Sequence, residues 1–112
     1  MAMPNPEALV VLVTAPVEAS RTLAEALVER RLCACVNILP AVQSVYRWQG
    51  EVQVDSEALL VIKTTAERFP ELQKAVVELH PYELPEIIGL SIAAGLPAYL
   101  EWVVSSVQEP LA

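Results

Sequence analysis

Glycine is scarce in this chain of 112 residues, with three in all. Phosphate-cradling loops and dinucleotide fingerprints need clustered glycines so that the backbone can approach a phosphate, and neither G-x-G-x-x-G nor a P-loop occurs. Positive charge is also short: seven Lys and Arg stand against fourteen Asp and Glu, a formal net charge of −7. Binding to a nucleic-acid backbone needs clustered cations. The one basic pair, Arg30-Arg31, has Glu25 and Glu29 as neighbours, so neither nucleic acid nor an anionic membrane surface is expected as a partner. Long apolar runs are missing too. The longest lies near Ala8–Val13, far below the ~20 residues that span a bilayer. The first residues carry no basic segment ahead of an apolar stretch, so no signal peptide is expected. There is one histidine, His80, and no Ser-His-Asp arrangement or nucleophile elbow. The chain therefore reads as a binding protein and not as an enzyme.

Cysteine amounts to the pair in Cys33-Ala34-Cys35. On a strand, residues i and i+2 point to the same side without converging, which suits a disulfide poorly. Two free, apolar thiols in a reducing compartment are the expectation.

Apolar residues are plentiful. They make up 54% of the chain, above the usual ~45–50%, while charged residues are only 19%. The length allows one domain, 1–112, with short tails at 1–7 and 108–112. A domain this small cannot hide so much apolar surface by itself. With no membrane span in sight, it must bury that surface against copies of itself, as a cytoplasmic oligomer.

Patterning gives the elements. Ala8–Thr14 is continuously apolar and β-branched, the mark of a strand covered on both faces. From Glu18 to Arg31, Leu23, Ala24, Leu27 and Val28 recur at helical spacing. Cys33–Leu39 reads as a strand interrupted by Pro40 and resumed over Val42–Trp48, with Tyr46 and Trp48 on one face. Gln49-Gly50 is a turn, and the return strand runs to Thr64 in a long, bent hairpin. Phe69, Leu72, Val76 and Leu79 stripe a helix over Glu67–His80, with Pro70 in its first turn. Ile87–Ile92 is a strand and Ala98–Val107 a helix. The order β-α-β-β-α-β plus a C-terminal helix is α+β and predicts a ferredoxin-like sandwich, with an antiparallel sheet and helices on one face. The other face should be apolar and in need of a cover.

The densest polar segment is His80-Pro81-Tyr82-Glu83-Leu84-Pro85-Glu86. Imidazole with carboxylates suits divalent cations, and two prolines stiffen the segment. The same His80 also suits a helix C-terminus followed by a rigid loop. Lys63, after four apolar residues, either surfaces from its strand or meets Glu83 or Glu86. Tyr46, Trp48 and Tyr82 could wall a pocket, with Arg47 and Lys63 as its cations. Tyr46, Trp48 and Trp102 equally suit a subunit contact.

Several strings are specific in this order: Val13-Thr14-Ala15-Pro16, Leu32-Cys33-Ala34-Cys35-Val36-Asn37-Ile38, Ser44-Val45-Tyr46-Arg47-Trp48-Gln49-Gly50, Lys63-Thr64-Thr65, His80 to Ile87 and Tyr99-Leu100-Glu101-Trp102. Through them the chain, from about Ala8 to Val107, resembles the CutA divalent-cation-tolerance proteins. The resemblance implies a PII-like homotrimer whose hairpin strands pair between subunits, and a role in the response to divalent metals, copper above all. It transfers the family's copper ligands only in part. Its first-strand cysteine position is Val13 here, and its two histidine positions are Leu79 and His80. The metal candidates are thus His80, Glu83, Glu86 and Cys35, for copper or another divalent cation, with no obligatory cofactor. The alternative is a PII-like signalling scaffold holding a small anionic ligand in the intersubunit clefts at Tyr46, Arg47, Trp48, Lys63 and Tyr82.

Overall fold

The computed structural model describes residues 7–108. The predicted tails fall almost wholly outside the described residues. The elements follow in the order β1 (Ala8–Ala15), α1 (Val17–Glu29), β2 (Cys35–Trp48), β3 (Glu51–Thr65), α2 (Phe69–Leu79), β4 (Ile88–Ser91) and α3 (Pro97–Ser106). The sheet order is β2-β3-β1-β4, and all three pairings are antiparallel. This is the expected ferredoxin-like sandwich.

Strand parity sorts the two faces. Val11, Val13 and Ala15 of β1 and Ala58, Leu60 and Ile62 of β3 point to one side, where they meet Leu23, Ala24 and Leu27 of α1 and Leu72, Ala75 and Val76 of α2. That side is the core. Leu60, Ile62, Leu27 and Leu72 are fully enclosed there. Gly89 of β4 lies under the Phe69 ring: a Cβ at that position would stand 3.1 Å from the ring and push it back by a few tenths of an ångström.

The other side carries Val10 and Leu12 (β1), Leu59 and Val61 (β3), Leu39 (β2), and Ile88 and Leu90 (β4), as the registers require. Leu39, Ile88 and Leu90 are each more than two-fifths exposed. The expectation of an apolar open face holds. The expectation of helices on one side only does not: α3 crosses to the open face and seals its end, with Val103 packed on Ala8 and Ala34, flanked by Leu100 and Ile92. Its amphipathic stripe has nowhere else to go, because α1 and α2 already fill the core side.

The hairpin outruns the rest of the sheet. β1 pairs with β3 only as far as Ala15↔Ala58, so Glu51–Glu57 pair with Val42–Trp48 alone. Pro40 does not break β2. The register steps from Leu39↔Leu59 to Val42↔Glu57, three residues against two, a bulge that absorbs the missing N–H of proline. The Gln49-Gly50 turn has positive φ at both positions, 51° and 81°, the conformation that closes two-residue hairpins.

Cys33 precedes β2 and turns into the core at 1% exposure, while Cys35, the first strand residue, faces α3 with its Sγ 3.6 Å from the Tyr99 hydroxyl. They do not share a face, because the bend before Cys35 breaks the two-residue period. Both are free thiols. Burial, with Cys35 a secondary influence, pushes the Cys33 thiol up to about 12, which leaves it a core filler.

Candidate functional site

The extra residue at Pro40-Ala41 decides what lies on the open face of the hairpin. Ahead of the bulge, Cys35, Asn37 and Leu39 occupy that face; after it, Val42, Ser44, Tyr46 and Trp48 do, opposite Glu57, Asp55, Gln53 and Glu51. Tyr46 and Trp48 are thereby brought to the side that Thr14 occupies near the end of β1.

The segment after α2 reaches the same place. His80 caps the helix with its N–H on the Val76 carbonyl, 2.8 Å. Its ring is buried: Nε2 lies 2.7 Å from the Thr14 carbonyl, and Nδ1 accepts the Tyr82 N–H at 3.1 Å. With Nδ1 accepting, the hydrogen sits on Nε2 and is donated to Thr14. β4 stops pairing with β1 at Leu12, and the imidazole satisfies the strand carbonyl just beyond. The Tyr82 ring leans on His80 with centroids 4.7 Å apart, and its hydroxyl donates to Glu57 Oε2 at 2.9 Å. Burial first, then that bond to Glu57, pushes the Tyr82 phenol up to about 12. Tyr46 donates to Asp55, which raises its phenol as well.

Between arm and segment lies a cleft of about 620 Å³, lined by Thr14, Ser44, Val45, Tyr46, Trp48, Glu57, Tyr82, Glu83, Leu84 and Glu86. Of the residues singled out in the sequence, it gathers Tyr46, Trp48, Tyr82, Glu83 and Glu86. His80 stands behind it as a brace, with both nitrogens engaged. Arg47 points to the other face of the arm, reaching toward the Gly50 carbonyl at 3.5 Å. Lys63 pairs with Val10 and Cys35, and its ammonium contacts Asn37, not Glu83 or Glu86. Its partner Val10 lies four residues along β1 from Thr14, about 13 Å at strand rise; Cys35 is at that far end too. Among the described residues, no three His, Cys, Asp or Glu converge on a point that could hold a metal ion. Trp102 lies on α3 against Tyr99, with centroids 5.5 Å apart, and is half exposed.

The sequence reading missed Glu57. This carboxylate is 6% exposed, yet it begins the apolar run Ala58–Ile62 and shares strand parity with Leu59 and Val61. A charge adjoining a continuous apolar run, in phase with its open-face residues, was the available signal. A second hollow of about 360 Å³ lies between α2 and the end of α3. Arg68 spans it, with Nε donating to the Val107 carbonyl at 2.8 Å and Nη1 paired to Glu71 at 2.9 Å, a tie between elements.

The sheet order and helices define the class of ferredoxin-like α+β sandwiches, here with an apolar open face and a hairpin arm beside an aromatic, acidic cleft. Residues 9–106 match the model of the family described as CutA1 divalent ion tolerance protein. The chain is 57% identical over 95 residues to the divalent-cation tolerance protein CutA of Thermus thermophilus, covering 84% of this chain and 92% of that one. Solved structures agree. CutA1 from Oryza sativa superposes with a TM-score of 0.90 at 43% identity, covering 95% of this chain and 98% of that one. The protein described as PII-like CutA from Nostoc sp. PCC 7120 gives 0.85 at 34% identity, with 89% and 97% covered. The chain belongs to the CutA1 divalent ion tolerance family. It spans 52% and 54% of the longer mouse and Arabidopsis relatives.

Proposed function

We propose that this chain is the subunit of a homotrimeric divalent-cation tolerance protein, acting in the response to metal ions without catalysing a reaction. The observation that carries the assembly is the open sheet face. Leu39, Ile88 and Leu90 lie there, and Val45, Val52 and Val54 lie on the arm at 60% exposure or more. An apolar surface of that extent on a small domain calls for a cover. The edge of β2 leaves its backbone groups unpaired, which a neighbouring arm can satisfy. Tyr46, Trp48 and Trp102 are the aromatic contacts of that interface. The reading carries no nucleic-acid or membrane partner; no described helix is long and apolar enough to cross a bilayer. Free thiols at Cys33 and Cys35 support a reducing, cytoplasmic setting.

The family description and the relatives' names support tolerance of divalent ions. Copper or another divalent metal binds weakly at the cleft, through Glu83 and Glu86. His80 joins them only by releasing the Tyr82 N–H, and Cys35 only from a neighbouring subunit. The test is a Cu²⁺ titration followed by Trp fluorescence, run on the wild type and on His80→Ala, with the mass measured by light scattering. A trimer mass and a saturable Cu²⁺ response support the reading; a monomer without a response ends it.

The second reading, a PII-like signalling scaffold with a small anionic ligand, takes support from the PII-like description of the Nostoc structure. Its cations, Arg47 and Lys63, lie outside the cleft of their own subunit, so a neighbouring subunit would have to supply them. Thermal-shift screening of nucleotides and metabolites decides it.

A further inference from the structure

We infer that the cleft between the hairpin arm and the Tyr82–Glu86 segment binds an organic ammonium cation, a positive charge spread over methyl or methylene groups. The inference rests on the cleft staying open beside the subunit contact proposed above, and on nothing else in that reading.

Sign and shape both point this way. No Lys, Arg or His is among the lining residues, while Glu57, Glu83 and Glu86 all are, so an anion meets only repulsion. Glu57 is more than nine-tenths buried and its partner is a neutral phenol, the Tyr82 hydroxyl. A carboxylate removed from water is costly until a cation or further donors compensate it. A bare metal ion fits poorly, because no three carboxylates converge within coordinating reach among the described residues. The walls are instead aromatic: Tyr46, Trp48 and Tyr82 present half-exposed rings around the carboxylates. Ring faces attract cations that have shed their water easily, and quaternary or alkylated ammonium groups do so most readily. At about 620 Å³ the space falls within the ~300–1,000 Å³ of small-molecule sites, far larger than a coordinated ion requires.

The sequence alone could not assemble this site. Tyr46 and Trp48 come from beyond the bulge, Glu57 from the facing strand and Tyr82 from the segment after α2. The Tyr82 backbone is set by its hydrogen bond to His80, and the His80 ring by Thr14. His80 is thus a positioning residue for the cleft.

The experiment is calorimetric titration of the full chain with choline, and with 3,3-dimethylbutan-1-ol, its neutral isostere in which carbon replaces nitrogen. The expected result is saturable choline binding with the alcohol about 10-fold weaker or worse, the size of a cation–π preference. Glu83→Gln, exposed and outside the proposed subunit contact, weakens choline by about 5–10-fold at unchanged oligomer mass. Glu57→Gln weakens it further, with circular dichroism as the check on folding. Equal affinity for the isostere, absence of saturable choline binding, or full affinity in Glu83→Gln overturns the inference. A parallel Cu²⁺ titration separates the two claims: Cu²⁺ binding without choline binding sinks this inference and leaves the metal reading intact.

Discussion

His80 illustrates how one residue changes meaning with its surroundings. As the sole imidazole of the chain it was the natural metal ligand, yet its ring joins the end of β1 to the Tyr82 backbone. Replacing it with Ala leaves a strand carbonyl and an amide without their partner. The expected loss is about 1–3 kcal/mol, seen as a lowered urea midpoint at unchanged m-value. Tyr82 adds a pH signature. Its folded pKa, about 12, lies above the unfolded value near 10, so the neutral phenol stabilises the fold fully below pH 10. That stability is lost between about pH 10 and 12 as the unfolded chain, binding fewer protons, is favoured. Thermal melts across this window should fall steeply in the wild type and more gently in Tyr82→Phe. All three tyrosines have raised phenols, so the phenolate absorbance of the folded protein should develop at higher pH than that of the unfolded chain. Arg31 is a simpler case. It ends α1 at φ 59°, with the Leu32 N–H returning to the Leu27 carbonyl, the left-handed cap that glycine fills without strain. Arg31→Gly should raise stability by about 0.5–1 kcal/mol, measurable in denaturant melts.

At the scale of elements, the hairpin is where sequence and structure diverge most usefully. Pro40 read as an interruption, and the two-residue period placed Tyr46 and Trp48 on a shared face without saying which. Tertiary pairing turned the interruption into a one-residue bulge, and a one-residue slip exchanges every side chain between faces. Deleting Ala41 should therefore remove the bulge and leave both flanking registers intact, with Tyr46 and Trp48 still opposite Gln53 and Glu51. The expected readouts are a Tyr46 phenol still raised by Asp55 in a pH titration and an unchanged Trp emission maximum, whereas loss of either would show that the bulge sets the face. Helix boundaries were legible to within a residue or two, because Pro16, Pro70 and Pro97 mark helix starts and apolar stripes mark lengths. The position of α3 was not, since a stripe announces that a helix needs a partner and not which face supplies it.

Across the whole molecule, the excess of apolar composition has an address. The chain measures 54 × 30 × 22 Å, elongated by an arm whose two strands have only each other beyond Ala58. A two-stranded ribbon is marginal by itself in water, so the proposed trimer would stabilise the arm as much as the arm holds the trimer. Leu90→Glu sets a charge on the open face while touching no core residue. Light scattering should then report a smaller particle, whereas Leu60→Ala, fully enclosed in the core, should cost about 2–5 kcal/mol and leave the mass of the folded fraction unchanged.

The sequence by itself determined the element order, the sandwich, the apolar open face and the family, because hydrophobic period, proline punctuation and specific strings are local properties of the chain. Only the tertiary structure decided which polar groups meet. It set Glu57 under Tyr82, turned His80 inward as a brace and sent Lys63 and Arg47 elsewhere. These outcomes depend on strand register, a bulge and a helix crossing, each fixed by packing between segments distant in sequence, and no local pattern encodes them.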